Sequence, residues 1–191
     1  MPKLGMEPIR RDALVKATIA EIGRTGSLDV TVGQIARRAG MSSALAHHYF
    51  GGKDQIFLAA MRHILRDYGR AVRAALTGAK HPRDRLERIV RASFEAGNFR
   101  GEVVNAWLTF YVQAQTVPEA GRLLSVYQRR LRSNLTHALR PLAAEPVRVA
   151  DLLGALIDGL YIRAALGGGL SGAEAAAQVL DVMDRLLEAN E

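Results

Sequence analysis

The sequence of 191 residues contains no cysteine, which removes a disulfide framework, thiolate-held zinc and a thiol nucleophile together. Aromatic residues are scarce, at 6% with a single tryptophan. Long apolar runs are missing as well. The most apolar stretch, residues 152–166, is interrupted by Asp158 and Arg163. It is also shorter than the roughly 20 residues a membrane helix needs, so it reads as a buried helix. Residues 1–11 mix Lys3, Glu7, Arg10 and Arg11 with no apolar segment; neither a signal peptide nor an anchor is expected, and the cytoplasm is the expected compartment. The sequence has no glycine-rich phosphate loop, no metal-spaced set of histidines and carboxylates and no nucleophile elbow. Neither an enzyme nor a cofactor or bound metal is expected.

What is present in quantity is Ala, Leu and Arg, which propagate helices readily. Apolar positions recur with a helical period, and nothing alternates with period two over a useful length. The expected fold is all-α with about nine helices. The first spans residues 8–26, from a first-turn proline to a terminating glycine, with Leu14, Ala17, Thr18 and Ile22 inward. Two short helices follow. One is opened by Thr31 and Gln34 at capping-box spacing and ends at Gly40; the other is capped by Ser42 and reaches Tyr49. Gly51 and Gly52 then precede a long helix over residues 53–76, and further helices are expected at 83–98, 102–115, 118–140, 146–166 and 173–189. The expected division is a first unit at 1–52 and a second at 53–191.

The net charge is +7, and residues 1–53 hold eight basic against four acidic side chains, a net +4. This asymmetry points to an anionic partner at the N-terminal end. Two short helices joined by Gly40-Met41-Ser42 have the layout of a helix-turn-helix, in which the second helix enters the major groove. Ile35, Ala36 and Ala39 face the small core, with Leu45 and Phe50 as candidate partners, and Arg37 and Arg38 project outward toward phosphates. The spacing alone is equally compatible with a generic helical hairpin.

In the second unit, two pairs exceed what a plain core requires: Trp107 with Tyr111, four apart, and Asp158 with Tyr161, three apart. Aromatic faces beside one carboxylate suit an organic cation. Arg163 or Arg132 as an internal partner of Asp158 is the alternative. His47 and His48 leave a helix on different faces, so a shared metal site is not expected. The last two helices carry Gly154, Ala155, Gly159, Ala164 and Ala165 beside Leu153, Leu156 and Leu160, then Ala176, Leu180, Met183 and Leu187, a composition suited to packing against a second copy.

The run Thr31-Val32-Gly33-Gln34-Ile35-Ala36-Arg37-Arg38-Ala39-Gly40-Met41-Ser42, followed by His48-Tyr49-Phe50-Gly51-Gly52-Lys53 and Ile56-Phe57, resembles the DNA-binding signature of the TetR family of repressors. The resemblance implies that Ser42, Ser43, Ala44 and His47 read bases and that His48 and Tyr49 meet phosphates. It also implies that Lys53, Thr31 and Arg37 touch the backbone of double-stranded operator DNA. The family more often has Tyr where His47 stands. Met1-Pro2-Lys3-Leu4-Gly5-Met6, Ile9-Arg10-Arg11, Ala106-Trp107-Leu108-Thr109-Phe110, residues 129–135, Ala155-Leu156-Ile157-Asp158-Gly159-Leu160 and residues 163–166 are similar to the choline-responsive branch of that family. That branch represses genes for choline uptake and for its oxidation to the osmoprotectant glycine betaine.

The resemblance implies choline or another quaternary ammonium as effector. On chemical grounds the candidate cage is Trp107, Tyr111, Asp158 and Tyr161, with Tyr127, Phe94 and Glu95 as further candidates. It also implies a homodimer, with Leu153, Leu156, Leu160, Ala164, Leu180, Met183 and Leu187 at the interface, and therefore a pseudo-palindromic operator. The effector is expected to favour a conformer whose reading helices are wrongly spaced, with the 53–76 helix as transmitter. Two other readings remain: a repressor of the same family answering to an apolar drug or another metabolite, and a helical interaction protein with no DNA target.

Overall fold

The computed structural model describes residues 5–27 and 29–188. The sequence features at residues 1–4 and the expected end of the last helix at 189 lie outside them. The described residues form nine α-helices and no strand: α1 (Met6–Thr25), α2 (Val32–Arg38), α3 (Ser43–Phe50), α4 (Lys53–Leu76), α5 (Pro82–Ser93), α6 (Gly101–Gln113), α7 (Pro118–Leu139), α8 (Pro146–Ala165) and α9 (Gly172–Glu188).

Local chemistry sets most of these bounds. Gly26 takes the left-handed conformation, φ 63°, and returns its N–H to the Ile22 carbonyl, closing α1. Thr31 and Gln34 make the expected capping box at the start of α2. Gly40, at φ 68°, turns the chain, and the Ser42 hydroxyl accepts from the Leu45 amide at 3.2 Å to open α3. Prolines stand in the first turns of α5, α7 and α8, where a missing N–H costs nothing. Ser171 and Glu174 cap α9 reciprocally, with Ser171 N–H on Glu174 Oε2 at 2.8 Å and Glu174 N–H on Ser171 Oγ at 3.2 Å.

One boundary departs from the periodicity. The helix expected to reach residue 98 stops at Ser93. The Asn98 side chain donates to the Ala92 carbonyl at 2.9 Å, so a side chain folded back from beyond the helix takes up a carbonyl of its last turn. The chain then turns, bringing Phe94 and Phe99 against the Tyr161 ring at 5.7 and 5.0 Å.

The helix-turn-helix packs as expected in its first half, with Ile35 and Ala36 fully buried. In its second half Phe50 is half-buried and packs against the core as expected, but the fully buried residue of α3 is Ala46, with Leu45 half-buried. A small residue there lets α3 lie close upon α2. Arg38 departs from the outward role expected of it, because its Nε donates to Glu21 Oε1 on α1 at 2.6 Å. Glu21 is buried and also receives Arg24 at 2.9 Å. The Arg24 hydrogen bond foremost, with that of Arg38, holds its carboxyl below the usual carboxylate range, against the opposing effect of burial.

α4 packs against α1, α3, α5 and α7. The most extensive contact of α1 is with α6. A Cβ on Gly23 would stand 2.4 Å from the Glu102 Cα and 2.6 Å from its carbonyl oxygen, and the Asn105 amide donates to the Gly23 carbonyl at 2.9 Å. The two helices meet backbone on backbone, so a side chain at 23 has to push them apart. Gly23→Ala should destabilise the protein by about 1–3 kcal/mol, the range for overpacking a closed contact. Urea unfolding followed by circular dichroism measures it; an unchanged midpoint would mean that α1 does not bear on α6 in solution.

Candidate functional site

The exposed face of the helix-turn-helix is built from α3 and the turn before it. Ser42, Ser43, Ala44, His47 and His48 are all exposed, as are Thr31 and Arg37 on the neighbouring side. Some of their hydrogen-bonding capacity is already used. The Thr31 hydroxyl accepts from the Gln34 amide at 3.2 Å and donates to Gln34 Oε1 at 3.0 Å, and Ser42 accepts as the cap of α3. His47 Nδ1 stands 3.3 Å from the Gly51 carbonyl. Ser43 and Ala44 stand on the first turn, and the Ser43 hydroxyl has no hydrogen-bond partner among the described residues. Tyr49 is half-buried, and its hydroxyl accepts from Arg10 at 3.5 Å. The Arg11 guanidinium lies 5.1 Å from the Phe50 ring centre and 5.7 Å from that of Tyr49, tying the end of α3 to α1. Lys53 opens α4 with its ammonium 5.4 Å from the Phe57 ring centre.

In the upper part of the molecule, five of the seven residues expected at the effector site converge. Trp107 and Tyr111 of α6, Tyr127 of α7, and Asp158 and Tyr161 of α8 line one small cavity. Trp107 sits at the centre, with ring centres 4.8 Å from Tyr127, 5.8 Å from Tyr111 and 6.3 Å from Tyr161. The Tyr127 hydroxyl donates to Asp158 Oδ1 at 3.2 Å, and the Tyr111 hydroxyl also bonds the carboxylate. Tyr161 donates to the Ser93 carbonyl.

Two further residues complete the lining, Tyr68 of α4 and Asn98 of the turn before α6. Tyr68 is not among the residues singled out from the sequence. The signal was its hydroxyl, which demands a partner when buried and finds Ser93 Oγ at 3.3 Å. Phe94 is buried behind Tyr161 and buttresses it. Glu95 is exposed on the turn after α5 and lies outside the lining; the early end of that helix swings it away.

Asp158 has no cationic partner among the described residues. Arg132 pairs with Asp151 at 2.6 Å instead, and Arg163 is exposed. Burial raises the Asp158 carboxyl above the ordinary range, although the Tyr111 and Tyr127 hydroxyls act the other way. Burial likewise pushes Tyr68 up to about 12 and raises Tyr111, Tyr127 and Tyr161. The phenols therefore stay neutral around one acid. The enclosed volume is about 10 Å³, at the lower limit for a single water molecule.

The faces of α8 and α9 also differ from expectation. Leu153, Leu160 and Met183 are buried inside the protomer, and Leu156, Ala164, Leu180 and Leu187 pack partly against the same core. The exposed large apolar residues of α8 are Val147, Leu152 and Ile162, with Leu166 at its C-cap. Leu152, Ala155, Gly159, Ile162 and Leu166 recur at intervals of three and four and share one face. Of the residues named from the sequence, three are thus buried within the protomer and four are half-buried at the edge of the exposed face.

Residues 14–60 match the family model of the tetR-family bacterial regulatory proteins, and residues 82–188 match that of the BetI-type transcriptional repressor C-terminal domain. The chain is 52% identical over 183 residues to the HTH-type transcriptional regulator BetI of Brucella suis, covering 95% of this chain and 92% of that one. It is 51% identical over 191 residues to BetI of Agrobacterium fabrum, with 98% and 93% covered. Among solved structures, a transcriptional regulator from Pseudomonas aeruginosa PAO1 superposes with a TM-score of 0.82 at 28% identity, covering 97% of this chain and 93% of that one. A transcriptional regulator from Saccharomonospora viridis, in complex with choline, shares the fold with a TM-score of 0.79 at 22% identity, covering 91% and 95%. A DNA-binding domain of one signature and a C-terminal domain of the other, with about half of all residues shared along the whole length, place the chain in the TetR family of DNA-binding transcriptional regulators, among its BetI-type repressors.

Proposed function

We propose that the protein binds a pseudo-palindromic operator as a homodimer in the cytoplasm, represses genes of choline uptake and glycine betaine synthesis, and is released by choline held in the aromatic cage. The observation that carries this reading is the convergence of Trp107, four tyrosines and the unpaired Asp158 on one point. A quaternary ammonium donates no hydrogen bond and is recognised by aromatic faces and a negative charge. The choline complex of the Saccharomonospora viridis regulator supports the same ligand class.

The mechanism follows from the cage being nearly closed. Choline requires the rings to separate, so it binds a conformer in which α4, α6, α7 and α8 have shifted relative to one another. Tyr68 lies 15 residues along α4 from Lys53, about 22 Å at 1.5 Å per residue, so tilting α4 at the cage displaces its DNA end. α6 acts in parallel through Gly23 and α1. The ligand shifts the population only as far as it prefers the open conformer. The cost of ionising buried Asp158 in the empty cage is offset by the arriving cation, which adds to that preference.

The second copy docks on the face of α8 carrying Leu152, Ile162 and Leu166, with the exposed side of α9 beside it. Two-fold symmetry then sets the two α3 helices about 34 Å apart, one turn of DNA.

Fluorescence anisotropy on duplex DNA from the region upstream of the gene tests the reading directly. Binding should weaken steeply with salt, as phosphate contacts require, and choline but not betaine should release the DNA. Release by neither would refute choline as effector. Trp107→Ala should raise the choline requirement by about 2- to 30-fold, the equivalent of ~0.5–2 kcal/mol for a lost cation–aromatic contact, with operator affinity unchanged.

The Asp158 carboxyl, raised in the folded state, contributes stability that is fully present below its ordinary value of 3.8 and is lost as pH rises through the folded value. Ligand-free Asp158→Asn should therefore unfold at a higher temperature than the wild type at pH 7, with the gap closing toward pH 3. Parallel melting curves at both pH values would remove Asp158 as the cause.

Leu152→Glu combined with Ile162→Glu should yield a folded monomer by sedimentation velocity that no longer holds operator DNA. Leu153→Glu, by contrast, should fail to fold. A dimeric double variant would move the interface elsewhere.

A further inference from the structure

A much larger cavity lies outside the cage, a cleft of about 890 Å³ between α1, α4 and α7, within the size range of small-molecule sites. Its floor is apolar, with Leu65 and Val72 of α4 facing Leu123 and Val126 of α7. Its walls carry six arginines, Arg11, Arg62, Arg66, Arg73, Arg85 and Arg130, and one carboxylate, Asp12. Asp12 is already engaged by Lys16 at 2.7 Å, and Arg11 by Glu7 at 2.8 Å. Among the described residues the other five arginines pair with no acid. Arg66 reaches only the Arg62 carbonyl, and the Nε of Arg85 is buried with no hydrogen-bond partner at all.

Arg62, Arg66, Arg73 and Arg130 are exposed at the mouth of the cleft, whereas the buried, unsatisfied Arg85 N–H calls for an acceptor; together they give the cleft a positive lining that favours an anion. Operator phosphates do not supply it along most of the cleft. Arg73 lies 20 residues beyond Lys53, about 30 Å up α4, and Arg85 and Arg130 stand on α5 and α7. The cleft is also unlike the cage, since its charge repels a quaternary ammonium.

We propose that this cleft is a second effector site, taking an amphipathic carboxylate: an apolar chain along Leu65, Val72, Leu123 and Val126 with its head group among the unpaired arginines. The planar guanidinium fork matches a carboxylate bidentately. Gly69 supports the assignment sterically. It stands in the middle of α4, where glycine is a poor helix former, and a Cβ there would meet only the flexible Arg73 guanidinium at 3.3 Å. Its lack of a side chain keeps the cleft open. Tyr68 and Tyr127 line both this cleft and the cage, so the two ligands share a wall.

Isothermal titration calorimetry on the intact protein, with decanoate as probe, tests the site. Decanoate should bind saturably at one per protomer, while acetate, the head alone, and decanol, the chain alone, should give no comparable binding. Arg66→Gln combined with Arg85→Gln should weaken decanoate at least about tenfold, a loss of ~1.4 kcal/mol. Gly69→Leu, which fills the cleft without changing charge, should abolish binding in a protein that still holds operator DNA. Decanol binding as tightly as decanoate, or unchanged decanoate affinity in both variants, would overturn the proposal. Loss of decanoate binding in Trp107→Ala alone would assign the ligand to the cage and equally overturn it. So would loss of operator affinity in the arginine variant together with displacement of decanoate by operator DNA, which would make these arginines phosphate contacts.

Discussion

The architecture depends on a place where no side chain exists. At Gly23 the backbone of α1 rests on the backbone of α6 at Glu102, and Asn105 fixes the register with a hydrogen bond to the Gly23 carbonyl. Two residues earlier on α1, Glu21 holds Arg38 of α2. Two residues after Asn105 on α6 comes Trp107, the hub of the aromatic cage. The helix-turn-helix and the cage are therefore referenced to the same short segment of contact. Packed backbones do not deform gradually; they hold or slip. Under the proposed function, such a joint would carry a displacement of α6 to the whole DNA-reading unit.

Much of the scaffold was legible because local chemistry wrote it. The capping box at Thr31, the terminating Gly26 and the first-turn prolines act over three or four residues, and the structure follows them. The one large boundary error, at α5, came from Asn98, a residue outside the helix whose side chain reaches back into it. Periodicity has no means of seeing that.

The cage was legible in its chemistry and incomplete in its membership. Trp107 with Tyr111 and Asp158 with Tyr161 stood out because polar-tipped aromatics and a carboxylate are conspicuous in apolar helices. Tyr68 did not, since its ring also packs as an ordinary core residue of α4. Whether Asp158 met an arginine or tyrosines was a tertiary question, decided by Arg132 of α7 turning to Asp151, two turns before Asp158 on α8. α8 shows the limit most clearly. A helix apolar on two sides gives no sign of which side meets its own core, and adjacent positions such as Leu152 and Leu153 point about 100° apart. The inward choice fell on Leu153 and Leu160, leaving Leu152 and Ile162 at the surface.

The near-absence of space in the empty cage sets a temporal and quantitative character for any ligand it takes. With about 10 Å³ enclosed, the resting site is not a vacant receptor, and occupancy waits on a fluctuation that parts five aromatic rings. Apparent affinity is then the intrinsic affinity diluted by the fraction of molecules open at any moment. Under the proposed function, the stiffness of the ring cluster, as much as its chemistry, then sets the ligand concentration at which the protein responds.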